Sequence, residues 1–154
     1  LIMYKMSAPF VLVEPGGLTV LTVKSQGGDV VYENGHWRHK QSLGFLRRFA
    51  GQEGLGRPHR MAQAERSYVE SHLEKAFSSD GIDPEEIPVR AAVLFTNPDI
   101  MLKLEDAPPI PALRAAELKR WLRKEPLRPR LPDDEMAKLL DALNAGEGAA
   151  QEED

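Results

Sequence analysis

Closely spaced turn signals divide the N-terminal third of the chain into short strands. Residues 14–17 carry proline and glycine where a β-turn favours them, and residues 27–28 are a pair of glycines. Asn34-Gly35 is the strongest hairpin signal in the sequence. The segments between the turns are rich in residues that suit a pleated surface, namely 10–13, 18–24, 29–33 and 36–38. The pattern predicts an antiparallel β-meander.

Helical patterns and one buried strand follow the meander. Residues 89–95 are nearly all apolar, which is typical of a central strand covered on both faces. A turn at residues 97–99 separates this strand from an expected edge strand at 100–104. Before it, the apolar spacing predicts a short helix around residues 43–49, a glycine-rich loop at 51–58 and a longer helix at about 61–77.

Proline and apolar spacing also set the expected limits and faces of the helices. Pro111 suits a first helical position, and that helix must stop before Pro126. The last helix begins near Pro132, and Gly146 is its expected stop. The apolar stripe of the longer helix is predicted to comprise Met61, Ala64, Tyr68, Val69, Leu73 and Phe77, and that of the last helix Met136, Leu139, Leu140 and Leu143.

These elements predict an α/β (α+β) fold. A central mixed sheet, built from the antiparallel meander plus the buried strand, is expected to be flanked by helices. A chain of 154 residues is long enough for one domain with a sizeable core. We assign residues 1–126 to that domain, 127–146 to a linker and a helix packed on it, and 147–154 to an acidic disordered tail.

Composition excludes several classes of protein and site. The chain has no cysteine, so disulfide scaffolds, cysteine zinc sites and cysteine nucleophiles are excluded. Its net charge of −4 does not point to nucleic acid, although basic stretches occur at residues 36–60 and 114–130. No apolar run approaches the roughly 20 residues of a membrane helix, and the first residues lack the features of a signal peptide.

The meander also carries a family resemblance. Residues 11–24, the glycines at 27–28 and Trp37 together resemble the NERD (nuclease-related domain) family. The segments 63–66 and 93–99 fit the same pattern, so the resemblance extends over roughly residues 9–124. NERD domains are similar to the PD-(D/E)XK, restriction-endonuclease-like superfamily. The resemblance therefore implies a restriction-endonuclease-like fold.

The resemblance also implies where an active site would lie. Such nucleases carry an acid on a preceding helix, an Asp that opens the second strand and Glu-x-Lys on the third. The carboxylates hold Mg²⁺, and the Lys orients or deprotonates the attacking water. Lys24 matches the Lys, whereas Thr22 stands at the Glu position and Pro9 or Phe10 at the Asp position. We therefore expect an eroded metal site and no cofactor, with Mg²⁺ as the alternative.

Two nearby acids are candidates to replace the missing carboxylates. Glu14 lies at the first turn and Asp29 begins the next strand, so either is within reach of Lys24 in principle. Strand alternation puts Thr22 and Lys24 on one face but does not assign Glu14 to it. We interpret both acids as solvated turn residues and Lys24 as a surface lysine.

Basic residues in the middle of the chain are the candidate contacts for nucleic acid or another anion. The alternative, a solvated edge whose charges balance acidic neighbours, is favoured by the negative net charge. The four histidines at 36, 39, 59 and 72 lack the spacing of a zinc pair and are expected to be scattered on the surface. The candidate contacts are Arg38, Lys40, Arg47, Arg48, Arg57 and Arg60.

A second basic cluster lies between residues 119 and 130. Cations in the last turn of a helix stabilise its dipole, which accounts for most of the cluster without a ligand. Arg128 and Arg130 lie in a linker, where they are candidates to meet an anionic membrane surface or an acidic partner.

The sequence thus favours a catalytically inactive NERD-like domain that acts as a binding or assembly module. The strand-like start at Leu1 leads us to expect a missing N-terminal segment, and with it a membrane anchor and a location on the cytoplasmic side. The expected partner is another protein or a larger assembly. The alternatives are a Mg²⁺-dependent nuclease and a nucleic-acid-binding domain that does not cleave.

Overall fold

A computed structural model describes residues 2–5, 10–40, 54–77 and 83–149, without the side chains of 2–5 and 146–149. The predicted helix at 43–49 and residues 51–53 of the glycine-rich loop lie outside these ranges. A short 3-10 helix, Pro84–Glu86, precedes the buried strand. The described strands are β1 Ile2–Lys5, β2 Phe10–Glu14, β3 Gly17–Lys24, β4 Gly28–Glu33, β5 His36–Lys40, β6 Val89–Phe95, β7 Ile100–Leu104 and β8 Ala112–Arg114, and the α-helices are α1 Pro58–Phe77, α2 Ala115–Lys124 and α3 Asp133–Ala149.

The larger sheet has five strands in the order β1-β2-β3-β6-β8. The first three strands are antiparallel, whereas β6 runs parallel to both β3 and β8. In this register Lys24 lies beside Phe95, and Thr19 lies beside Arg90. The nearly all-apolar strand β6 is therefore central, as its composition predicts.

The smaller sheet has three strands in the order β5-β4-β7. Asn34 (φ 51°) and Gly35 (φ 76°) form the predicted hairpin turn, where both residues need positive φ. The parallel strand β7 lies at the other edge, as predicted.

The α/β (α+β) fold class is confirmed, but the meander is divided between two sheets instead of forming one. The reason is that β2 and β6 occupy both edges of β3, so β4 cannot pair with it.

Alternation along β3 separates the core into two layers. Leu18 and Val20 face α1 and α3, where they belong to the larger apolar cluster. Leu21 faces the other way and packs with Leu12 and the apolar side of α2. Both faces of the five-stranded sheet are therefore covered by helices.

The helices differ from their predicted limits at three ends. Helix α1 begins at Pro58, a turn before the expected start. Pro111 precedes a strand and not a helix, because its carbonyl accepts a 2.8 Å hydrogen bond from the Val93 amide and β8 then pairs with β6. Helix α2 ends at Lys124, before Pro126 as predicted. Helix α3 continues past the expected stop at Gly146 to Ala149.

The predicted apolar stripe of α1 is correct in its second half only. Val69, Leu73 and Phe77 are buried, but Met61 and Tyr68 are 40% and 47% exposed. The helix is rotated so that Ala62 and the half-buried Glu65 face the sheet in the first half. The stripe of α3 is correct at Leu139 and Leu143, both fully buried.

A buried ion pair fixes the α2 side of the sheet. Arg90 donates to both carboxylate oxygens of Glu14, at 2.8 and 3.0 Å, and to Thr19 Oγ1 at 2.8 Å. Its guanidinium lies 4.1 Å from the centre of the Trp121 ring. Glu14 is only 6% exposed, so the interpretation of this acid as a solvated turn residue is wrong.

We expect Glu14→Ala to lower the free energy of unfolding by about 3 kcal/mol, because it leaves the Arg90 guanidinium without its carboxylate in a largely desolvated site. Glu33→Ala is the matched control, since Glu33 pairs with Arg38 at the surface, where the side chains are 37% and 62% exposed. Its loss is expected to stay below about 1 kcal/mol. Urea unfolding of both variants measures the difference, and equal losses would contradict a structural role for the Glu14–Arg90 pair.

Candidate functional site

The residues at the family's catalytic positions lie at the end of β3, beneath α1. Thr22 and Lys24 are on the same face of the strand and are 2% and 5% exposed. The Lys24 ammonium donates to the sulfur of Met61 at 3.1 Å. The interpretation of Lys24 as a surface lysine is wrong, because the first turn of α1 covers its side chain.

A carboxylate from α1 reaches this face. The Thr22 hydroxyl donates a hydrogen bond to Glu65 Oε2, so an acid lies beside the position where the family has Glu. Sequence reasoning missed this residue. The available signal was a pair of spacings: Met61 and Glu65 are i, i+4 on a helix, and Thr22 and Lys24 are i, i+2 on a strand. Two such pairs meet when the helix packs along the strand.

The donor set around Lys24 does not fit the Mg²⁺ that the resemblance implies as the alternative. Magnesium requires octahedral oxygen ligands and is usually held by one or two carboxylates together with waters and substrate phosphates. Here the carboxylate of Glu65 already accepts a hydrogen bond from Thr22, and the buried Lys24 ammonium lies at the same face. Across the described ranges, no group of three His, Asp or Glu is arranged to hold a metal ion. Pro9, one of the two residues that the resemblance places at the Asp position, lies outside the described residues. The described part of the site offers Glu65, Thr22 and a competing ammonium.

Neither acid considered as a substitute approaches Lys24. Glu14 lies on the α2 face of the sheet, opposite to Lys24, and pairs with Gly17, about 23 Å along the strand. Asp29 is half-buried in β4, where it alternates with the core residues Val30 and Tyr32 and so lies on the other face of that strand. In the described part of the chain, Lys24 has no ion pair with a carboxylate.

The structure brings together two of the predicted anion contacts. Arg57 and Arg60, at the start of α1, flank a cleft of about 250 Å³ whose opposite side is the β4–β5 turn. Lys40 and Arg38 are exposed on β5 outside this cleft, and Arg38 pairs with Glu33. Arg47 and Arg48 lie outside the described residues. The cleft is lined by Gly35, His36, Trp37, Gly56, Arg57, His59 and Arg60.

His59 is held by an aromatic cluster at the base of the cleft. The Trp37 indole N–H donates to His59 Nδ1 at 2.9 Å, and Trp37 packs against Tyr32 and Phe95 at ring-centre distances of 4.9 and 6.0 Å. Because Nδ1 accepts this bond, the neutral ring carries its proton on Nε2. Burial, and then the positive charges of Arg60 and Arg57, lower the pKa of His59.

The expectation that all four histidines lie on the surface is wrong. His39 and His72 are half-buried, and each ring lies within hydrogen-bond distance of a backbone carbonyl: Gly27 O at 2.7 Å and Ala142 O at 3.1 Å. With His59, they support the packing of neighbouring elements. His36 is exposed at the cleft.

The second basic cluster occupies the outer surface of α2. At the start of this helix, a hydrogen bond from Arg114 lowers the pKa of Glu117. In the linker that follows, Arg130 pairs with Asp133 at 3.2 Å, while Arg128 is exposed. The exposed cations on the helix itself are Lys119, Arg120, Arg123 and Lys124.

Comparisons with known proteins found no match to this chain among protein-family models, curated proteins or solved structures. The likeness to NERD domains therefore rests on the residue pattern alone. Among the helices that the structure describes, none has the length and apolar character needed to cross a membrane.

We expect His59 to make the stability of the fold pH-dependent. Its pKa in the folded protein is below the ordinary value of 6.5, so the unfolded chain takes up a proton that the folded chain does not. The free energy of unfolding should therefore fall as the pH drops below about 6.5. Urea unfolding between about pH 7.5 and about pH 5.5 measures this slope.

His59→Gln is expected to reduce the slope, whereas the exposed His36→Gln, the matched control, should retain it. An unchanged slope in His59→Gln would show that other groups cause the pH dependence.

Proposed function

We propose that this chain is a nuclease-related domain that acts as a binding or assembly module and does not cleave nucleic acid with a metal ion. One observation carries the proposal. Within the described residues, Glu65 is the carboxylate found at the Thr22–Lys24 face, and the Thr22 hydroxyl already occupies one of its oxygens.

The charges at this face argue against metal binding. A nuclease of this type needs carboxylates that converge on a cation beside the scissile phosphate. Here the one carboxylate is contributed by α1 and meets the Thr22 hydroxyl, while the ammonium is buried beneath that helix and contacts a thioether. Such an arrangement satisfies buried polar groups where the helix packs on the strand. It supports a role in holding α1 in place.

The partner and the cellular location of the module are also proposals. We infer that its partner is another protein or a larger assembly, on the cytoplasmic side of a membrane. The support is the NERD resemblance.

We expect no cleavage of labelled DNA or RNA in Mg²⁺ or Mn²⁺ above the level seen with a chelator. Because the described donors do not form a metal site, Lys24→Ala and Glu65→Gln should leave this baseline unchanged. Gel analysis of the labelled strands is the measurement. Metal-dependent cleavage lost in both variants, but kept in Glu70→Gln, would overturn the proposal in favour of a Mg²⁺-dependent nuclease. Glu70 is a suitable control because it lies on the same helix and pairs with Arg66.

Binding of nucleic acid without cleavage is the second candidate function. The observation that favours it is the convergence of Arg57 and Arg60 on an open cleft lined by no acidic residue. Lys40, exposed on the neighbouring strand β5, adds a further cation for a phosphate backbone.

For this candidate we expect salt-dependent binding of nucleic acid that is weakened by Arg57→Glu and by Arg60→Glu. Each lost phosphate contact should reduce the slope of log affinity against log salt by about 1. Fluorescence anisotropy at several salt concentrations measures it. Arg123→Glu is the matched control, since Arg123 is an exposed arginine on α2. Absence of salt-dependent binding at low ionic strength would rule this function out.

A further inference from the structure

The cleft between the β4–β5 turn and the start of α1 collects hydrogen-bond donors from two separate parts of the chain. His36 comes from the hairpin, and Arg57, His59 and Arg60 come from the start of the helix. The volume, about 250 Å³, is sufficient for a small group to enter among these side chains. Among the described residues that line the cleft there is no Asp or Glu, so each ionisable side chain in that lining is basic.

Two described acids that belong to or contact the β4–β5 hairpin have other partners. Glu33, on the hairpin, pairs with Arg38. Asp106, after β7, accepts a 2.6 Å hydrogen bond from the Asn34 amide in the hairpin turn. Among the described residues, no ion pair joins a carboxylate to Arg57 or Arg60. Within the described ranges, their positive charges are therefore not neutralised by a carboxylate.

One donor in the cleft has a fixed orientation. The bond from the Trp37 indole to His59 Nδ1 leaves the proton on Nε2, and the contact of Trp37 with Phe95 anchors this pair to the core. A neutral imidazole N–H of known direction, next to two guanidinium groups, favours an oxyanion over a cation or an apolar group. Guanidinium groups bind phosphate through paired N–H bonds.

We propose that this cleft binds a phosphate dianion, either free phosphate or a phosphate monoester. Two guanidinium charges match the two charges of the dianion, and the His59 N–H supplies a neutral donor. A phosphodiester carries one charge and fewer free oxygens, so it should bind more weakly. This inference goes beyond the proposed binding or assembly function, because it concerns a site away from Lys24 and holds whether or not the chain cleaves nucleic acid. It competes with the second candidate function for the same cleft, since the backbone of a nucleic acid offers phosphodiesters.

Isothermal titration calorimetry with inorganic phosphate, at constant ionic strength, tests the proposal. We expect saturable binding by the wild-type chain and affinity lowered about tenfold in Arg57→Gln and in Arg60→Gln. Arg123→Gln removes the same charge from α2 and should bind as the wild type does. Circular dichroism of each variant checks that it is folded. No saturable binding by the wild-type chain, or an equal loss in Arg123→Gln, would overturn the proposal.

Two further titrations identify the form of the ligand. A nucleoside 5′-monophosphate carries the monoester group, and dimethyl phosphate carries the diester. Binding of the monophosphate would assign a monoester site, and binding of inorganic phosphate alone would assign a site for the free ion. Dimethyl phosphate binding as tightly as inorganic phosphate would contradict recognition of a dianion. A negative result leaves the cleavage assay unaffected, so the two proposals fail separately.

Discussion

Strand β3 pairs along both of its edges, with β2 on one side and β6 on the other, and the remaining architecture follows from this constraint. Because no edge is left for β4, the chain must leave the sheet after Lys24 and begin a second one. Little space is left where the chain leaves the larger sheet, since a Cβ on Gly27 would lie 2.7 Å from the Asn97 side-chain nitrogen. The second sheet thereby brings the β4–β5 turn next to the start of α1.

Strand β3 also separates the polar and charged groups packed against it into two sets, one on each face of the sheet. On the α2 face, Glu14 and Arg90 neutralise each other beside Thr19. On the α1 face, Thr22 and Lys24 meet Glu65 and Met61. Strand alternation forbids exchange between the sets, since a side chain cannot change face without a shift in register. Glu14, on the strand that precedes β3, therefore does not help Lys24, and an acid from a distant helix reaches the Lys24 face.

Local signals were sufficient for the parts of the fold that depend on local energetics. The Asn34-Gly35 turn and the apolar strand β6 could be predicted because the residues of each segment determine its own backbone conformation or burial. Pro111 was misassigned because its role depends on the Val93 amide of another element. The stripe of α1 was misplaced for a related reason. Glu65 counts as polar in any periodicity analysis, yet the Thr22 hydroxyl gives its carboxylate a partner on the sheet side.

The two candidate sites, around Lys24 and at the cleft, differ in whether their polar groups are already bonded to one another. Around Lys24 the polar groups are buried and bonded to one another, so a ligand would have to replace existing contacts. At the cleft, Arg57 and Arg60 are exposed and His59 keeps its Nε2 proton, while Trp37, which itself packs on Phe95, holds the imidazole in place. Recognition requires donors that are oriented but not yet satisfied. Of these two sites, the cleft between the β4–β5 turn and the start of α1 meets that requirement and the end of β3 does not, which favours the cleft as the place where a small anion binds.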